Sequence, residues 1–239
     1  MKCINHPDCI SLSFSQPHAI LSSAVLHGGL RQCQSLLNLK VDQYARPPYE
    51  DPALTLERRA QQLRLPGPVS GMMTAAAMAS LRHRCISRQQ GEHDVVANAW
   101  VTCGLSNLLR AGDAVTTCEG EPERGTINIW LHCSQPLSDA AMAEALIVLT
   151  EAKTTAIRDA RLKSRDSGLD ASGTGTDSHA VLCPLTPKRI SAQNSAENNA
   201  TAPLRYCGKH TLMGEAIGVA VYQAVSESIS ACLEAVSAS

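Results

Sequence analysis

The chain has 239 residues, 44% of them apolar, and its 21 basic and 22 acidic side chains leave a formal net charge of −1 with the histidines neutral. That length supports a sizeable core, most simply as one large domain. Balanced charge without a basic run gives no electrostatic reason to seek nucleic acid or an anionic membrane. Phe, Tyr and Trp make up 3% of the chain, too little for a base-stacking platform, so the core rests on Leu, Ile, Val, Ala and Met. The ten cysteines include no C-x-x-C pair, which argues against a zinc ribbon or a thioredoxin-type redox pair. Met1–Cys9 is polar, unlike a signal peptide, and no stretch approaches the roughly 18 apolar residues of a membrane helix. The expectation is a cytoplasmic protein of a reducing compartment, its cysteines serving as small apolar residues.

In chain order, Ala19–Leu26 reads as a strand ending at Gly28-Gly29, and Ser35–Val41 as its hairpin partner. Pro47, Pro48 and Pro52 mark a loop, and Ala53–Leu65 reads as a helix stopped by Pro66-Gly67-Pro68. Asp94–Cys103 and Thr126–Cys133 have strand length and are rich in Val, Ile, Trp and Thr. The period then changes. Ser138 to about Lys163 is helical, with Ser138 at the N-cap and Leu137 and Met142 at staple positions. Gly168–Asp177 is a loop, Ala180–Leu185 a short strand and Ser191–Pro203 a mobile polar loop. Thr211 to about Val236 is the closing helix, with a polar stripe of Gln223, Glu227, Ser230 and Glu234. Strands first, then helices alternating with them, predict an α/β or α+β fold: a mixed sheet in a single layered domain packed by two long helices in the C-terminal half.

Four segments carry more Gly and polar residues than packing requires. Ala171–Asp177 places Gly173 and Gly175 two apart, letting backbone N–H groups approach a ligand, with Thr174, Thr176 and Asp177 among them. Lys153 falls inside the stripe Met142, Leu146, Leu149, Ala156 and Ala160, so it must pair with a carboxylate or enter a polar pocket; Glu151 lies on the opposite side. Tyr206–Glu215 sets His210 just before a helix N-terminus, where imidazole tends to stay neutral, with Glu215 in the first turns. Gly214 and Gly218, four apart, imply close packing against another backbone. Thr102–Asn107 and Gly125–Ile129 put Asn107 and Asn128 beside glycines and strands, where amides serve as hydrogen-bond donors. On pattern alone each segment also has a structural reading: a flexible turn, an outward-reaching lysine, a hydrogen-bonded histidine, strand-end capping.

Seven stretches in order, SSAVLHGGL (22–30), GMMTAA (71–76), TCGLSNLLRAGD (102–113), GTINIW (125–130), TEAKTTAI (150–157), SGTGTDS (172–178) and YCGKHTLMGEAIGVAV (206–221), resemble the adenosylcobinamide amidohydrolase family. His27 stands where that family is expected to carry Asn, and His179 where an apolar residue is usual. Residues 1–16 and 191–203 fall outside the matched motifs. The resemblance implies hydrolysis of the amide joining the corrin propionate to aminopropanol, releasing adenosylcobyric acid. It points to His210, Glu215, Asp177 and Lys153 for catalysis. Ser22, Ser23, Asn107, Asn128, Glu151, Gly173, Thr174, Gly175 and Thr176 are the expected substrate contacts, with apolar contacts from Met72, Met73 or Met213. Water attack and a Thr174 or Thr176 nucleophile both fit. No metal and no cofactor beyond the substrate's own cobalt is expected. The partner is a small corrinoid, not nucleic acid or membrane, and an oligomer is compatible. The competing readings are a corrinoid-binding protein without hydrolysis and a hydrolase of another amide.

Overall fold

The computed structural model describes residues 1–42, 48–115, 125–185 and 202–237. Its strands are β1 (Lys2–Asn5), β2 (Cys9–Ser22), β3 (Gly29–Lys40), β4 (Val69–Thr74), β5 (Arg82–Gln90), β6 (His93–Cys103), β7 (Leu108–Leu109), β8 (Ile127–Cys133), β9 (Gly173–Thr174) and β10 (Ser178–Pro184). The α-helices among the described residues are α1 (Pro52–Gln62), α2 (Asp139–Asp159) and α3 (Leu212–Ser237). An eight-stranded mixed sheet runs β4-β3-β2-β10-β8-β6-β5, with β1 on β2, while β7 and β9 form a separate pair. The expected mixed sheet with two long C-terminal helices is present.

The sheet folds over itself. The β2/β3 ladder shifts register between Ser13 and His18, and such irregularities bend strands. One half of β2 therefore pairs with β1, and the other half with β10. Ile10, Leu12, Leu36 and Met72 from one half share a core with Trp100, Trp130, Ala180 and Leu182 from the other. Residues of alternate parity face outward. Ile127, Ile129, Leu131, Val181 and Cys183 meet α2 and α3 in a second core, and Leu37, Leu39 and Val69 meet Leu56 and Ala60 of α1 in a third. The order of layers is helix pair, sheet, sheet, helix.

Local signals explain the helices. Ser138 Oγ caps α2 by accepting from Ala141 N at 3.1 Å, and Leu137 and Met142 are buried beside it. Asp51 caps α1. α3 begins where Gly214 N donates to Thr211 Oγ1 at 3.0 Å; a Cβ on Gly214 would overlap the backbone of Cys207 and Gly208, so the expected close packing at this glycine is real. By length and composition Leu212–Ala235 could cross a membrane; here its apolar face packs on β6, β5 and α2.

Some readings need correction. Residues 1–16, expected outside the motif-bearing body, supply β1 and the first half of β2, with Ile10, Leu12 and Phe14 in the inter-sheet core. β4 and β5 were not legible as strands. The polar loop expected at 191–203 lies outside the described residues except for 202 and 203. Nine of the ten cysteines lie within the described residues and are free thiols.

Candidate active site

The buried lysine finds its carboxylate. Lys153 Nζ on α2 forms an ion pair with Asp177 Oδ2, the two side chains 6% and 10% exposed. Asp177 precedes β10 and its parity aims it at the helix layer. Its Oδ1 accepts from Thr174 Oγ1 at 2.5 Å and from Ile127 N at 3.0 Å, and Thr174 N approaches both carboxylate oxygens at 3.2 Å. Gly173 is required here: a Cβ would fall on Asp177 Oδ2 and 2.7 Å from Lys153 Nζ.

The strand ends around this pair are held by backbone contacts. β9 pairs with β7, setting Leu108 opposite Thr174, and Gly175 N donates to Asn107 O at 3.1 Å. The Asn107 amide lies directly over Gly175, its Nδ2 2.7 Å from the point a Cβ would occupy. Gly125 is wrapped by the 104–107 turn, with Gly104 O, Asn107 N and Ser106 N within 2.8 Å of its would-be Cβ. Thr176 Oγ1 donates to Gly125 O at 3.1 Å and pairs with Thr126 Oγ1 at 2.7 Å. Three segments read separately in the sequence, 102–107, 125–129 and 172–177, thus meet at one end of the sheet.

An open cleft of about 940 Å³ begins at the same turn. Its wall includes Ala75, Ala76, Ala77, Ala79, Gly104 and Leu105, with Lys40 and Asp8 also lining it. The wall is small-residue and largely apolar, the usual character of a site for an organic ligand.

Other expected site residues lie elsewhere. His210 is exposed in the turn before α3, its ring 6.5 Å from that of Tyr206. Glu215 is exposed and bound by Arg88 Nε of β5 at 2.6 Å. Glu151 faces outward and holds Lys209 Nζ at 2.5 Å. The reason is the docking of residues 206–211 on the outer side of α2, where Cys207 N donates to Glu144 Oε2 at 2.6 Å. Glu144 and Glu151, seven apart, share that face, and Lys153 points the other way. The expected convergence of Asp177, His210 and Glu215 is therefore not formed.

Asn128 is buried between the sheet layers. Its Nδ2 donates to Asn38 Oδ1 at 2.8 Å and Met73 O at 2.9 Å, and Asn38 Nδ2 donates to Thr102 Oγ1 at 2.9 Å. That network ties the two sheets together, with Asn128 2% exposed and its Oδ1 buried without a partner. Met72 and Met213 are core residues, each 1% exposed. Ser22 and Ser23 clamp a backbone: Ser22 Oγ and Ser23 N donate to His179 O at 3.0 Å, and His179 N donates to Ser23 Oγ at 3.1 Å. They fix β10 just beyond Asp177.

His179 itself was visible in the sequence only as an unusual residue. Its Nε2 is buried without a partner. Burial, aided by the Lys153 ammonium and opposed by Asp177, pulls the imidazole down to about 4, so it stands neutral beside the ion pair at physiological pH. His27 adopts φ 53°, the left-handed region where Asn is favoured among non-glycine residues, and its Nδ1 lies 2.8 Å from Val69 O. Histidine in place of Asn at this turn thus has a backbone explanation.

Fold and site together define a layered mixed-sheet domain with a buried lysine–carboxylate pair close to a turn, 104–106, that also lines an open, largely apolar cleft. The sequence matches the adenosylcobinamide amidohydrolase family over residues 1–236, and the chain belongs to that family of amidohydrolases. Among curated proteins it is 28% identical over 203 residues to the adenosylcobinamide amidohydrolase of Methanosarcina mazei, covering 85% of this chain and 86% of that protein. It is 37% identical over 108 residues to the uncharacterized protein MJ1613 of Methanocaldococcus jannaschii, a match that spans 45% of this chain and only 36% of that protein. Similar solved structures include the PH0078 protein of Pyrococcus horikoshii OT3, with a TM-score of 0.49, 10% identity and coverage of 95% of this chain and 78% of that one. Another is the L-aminopeptidase D-Ala-esterase/amidase of Ochrobactrum anthropi, described as a variant of the Ntn hydrolase fold, with a TM-score of 0.45, 12% identity and coverage of 96% and 82%.

Proposed function

We propose that this protein hydrolyses the amide linking the corrin propionate of adenosylcobinamide to aminopropanol, yielding adenosylcobyric acid and aminopropanol for corrinoid salvage or remodelling. The observation that carries the reading is the buried Lys153–Asp177 pair with Thr174 hydrogen-bonded to it. Amide hydrolysis needs a proton acceptor for the attacking hydroxyl, donors for the tetrahedral oxyanion and a proton for the departing amine. Asp177 is the acceptor, held in place by Lys153. The Asn107 amide, its Nδ2 2.7 Å from the point a Cβ of Gly175 would occupy, is the side-chain donor assigned to the oxyanion. The cleft supports the substrate class. Alanines and Gly104 give it a shallow wall suited to a broad planar ring, whose peripheral amide chain can extend past Leu105 and Ser106 to the 173–177 loop.

The test is incubation of the purified protein with adenosylcobinamide, followed by chromatography of corrinoid and amine. Equal amounts of adenosylcobyric acid and aminopropanol are expected. A changed visible spectrum with no released amine would instead make it a corrinoid-binding protein, and an inert corrinoid with cleavage of a simpler amide would assign a different substrate.

A further inference from the structure

Two threonines flank the candidate centre, and the structure distinguishes them. The Thr176 hydroxyl is engaged with the Gly125 carbonyl and with Thr126, a bracing role between two loops. The Thr174 hydroxyl directs its proton at Asp177 Oδ1 from 2.5 Å, while Lys153 occupies the other carboxylate oxygen. A loop that only needed its turn closed could do so with Thr174 N and the carboxylate. It would not need an ammonium brought from α2 into a site where both side chains are almost fully buried, an arrangement whose desolvation cost makes it poor as a purely stabilising device. A hydroxyl donating to a fixed carboxylate, beside the Asn107 amide, is the arrangement of an activated nucleophile.

Resting on the amidohydrolase reading above, we propose that Thr174 is the catalytic nucleophile and that the reaction passes through an ester between the substrate acyl group and Thr174 Oγ1. Thr174 Oγ1 attacks the amide carbonyl carbon and its proton passes to Asp177. The carbonyl oxygen becomes an oxyanion facing the Asn107 amide. Collapse breaks the C–N bond, and the proton held by Asp177 leaves with the nitrogen as the free amine. Water then attacks the ester, again giving a proton to Asp177. The acid departs as that proton returns to Thr174. No oxidant or co-reactant beyond water enters.

The experiment uses the full chain and two amides of one corrinoid acid that differ only in the leaving amine, with hydroxylamine as competing acceptor. A shared ester intermediate predicts the same hydroxamate-to-acid ratio from both substrates. Protein quenched in acid during turnover should carry an adduct of the acyl mass on the peptide containing Thr174, and Thr174→Ala should lose at least 1,000-fold in turnover, as is common when one member of a nucleophile–base unit is removed. Thr174→Ser, which keeps the hydroxyl, should retain measurable turnover and the adduct. The proposal is overturned if the ratio differs between the two amides, if Thr174→Ala retains more than about a tenth of wild-type turnover, or if wild type in turnover gives neither adduct nor hydroxamate. A wild-type protein that releases no amine from adenosylcobinamide refutes the substrate assignment instead, and a simple amide that it does cleave then takes the corrinoid's place in the same partition test.

Discussion

Removing Asp177 and removing Lys153 should have unequal effects, because the two ends of the ion pair are supported differently. Asp177→Ala strands an ammonium whose side chain is 6% exposed. It also empties the acceptor used by Thr174 Oγ1, Thr174 N and Ile127 N. Breaking a buried pair from one side costs about 3–5 kcal/mol. Lys153→Met leaves a carboxylate that still accepts from those donors and puts an unbranched apolar chain into an apolar stripe, so the loss is about 1–3 kcal/mol for one charge-assisted hydrogen bond. The double variant should then be less destabilised than the sum of the singles, with a coupling on the order of 2 kcal/mol. Urea unfolding at constant m-value measures all three, and amine release measures turnover, which should fall at least 100-fold in each single variant as the fixed proton acceptor is lost or released. An Asp177→Ala variant destabilised by less than about 1 kcal/mol, or a Lys153→Met variant with wild-type turnover, would refute the claim that this pair is the organising centre.

Acid should destabilise the fold through its neutral histidines. Burial pulls His179 and His132 down to about 4 from 6.5. Between those values the unfolded chain binds protons that the native chain does not, so stability is intact above pH 6.5 and falls as pH drops toward 4. The ceiling is ~1.4 kcal/mol per histidine per pH unit, reduced by the residual exposure of each ring. Urea midpoints at pH 7.5 and 5 should therefore differ, and His132→Phe should lessen the difference; coincident midpoints would refute the argument. Ala77→Trp, at an exposed position on the cleft wall, should raise KM for the corrinoid while leaving stability within about 0.5 kcal/mol of wild type; an unchanged KM would remove the cleft from the binding site. Asn107→Ala should lower kcat by roughly 100- to 1,000-fold with KM nearly unchanged if the amide meets the oxyanion, and a pure KM effect would place it in ground-state binding.

What the sequence made legible followed from local constraint. A lysine inside an apolar helical stripe has few outcomes, so Lys153 could be expected to seek a carboxylate before any partner was visible. The caps of α2 and the hairpin of β2 and β3 were equally local. β5 was hidden because it is an edge strand with mostly exposed side chains, RHRCISRQQ, showing none of the apolar alternation by which strands are read. β4 was hidden because VSGMMT is largely buried on both sides and has no period.

His210 and Glu215 show why the rest was illegible. Polar residues near a helix start read as chemistry, yet their location depends on which face of α2 receives the 206–211 turn. That choice is made by Glu144 and Glu151, which periodicity assigns to solvent and the structure assigns to anchoring Cys207 N and Lys209. The motif-bearing segments therefore divide by physical task. Thr102–Asn107, Gly125–Ile127, Lys153 and Gly173–Asp177 build the centre. Ser22–Ser23 and Tyr206–Gly214 hold β10 and the start of α3, and with them the sheet end and helix layer between which that centre is enclosed. The glycine at 214 illustrates the distinction: its missing Cβ makes room for the carbonyls of residues 207 and 208, a requirement of packing at the start of α3.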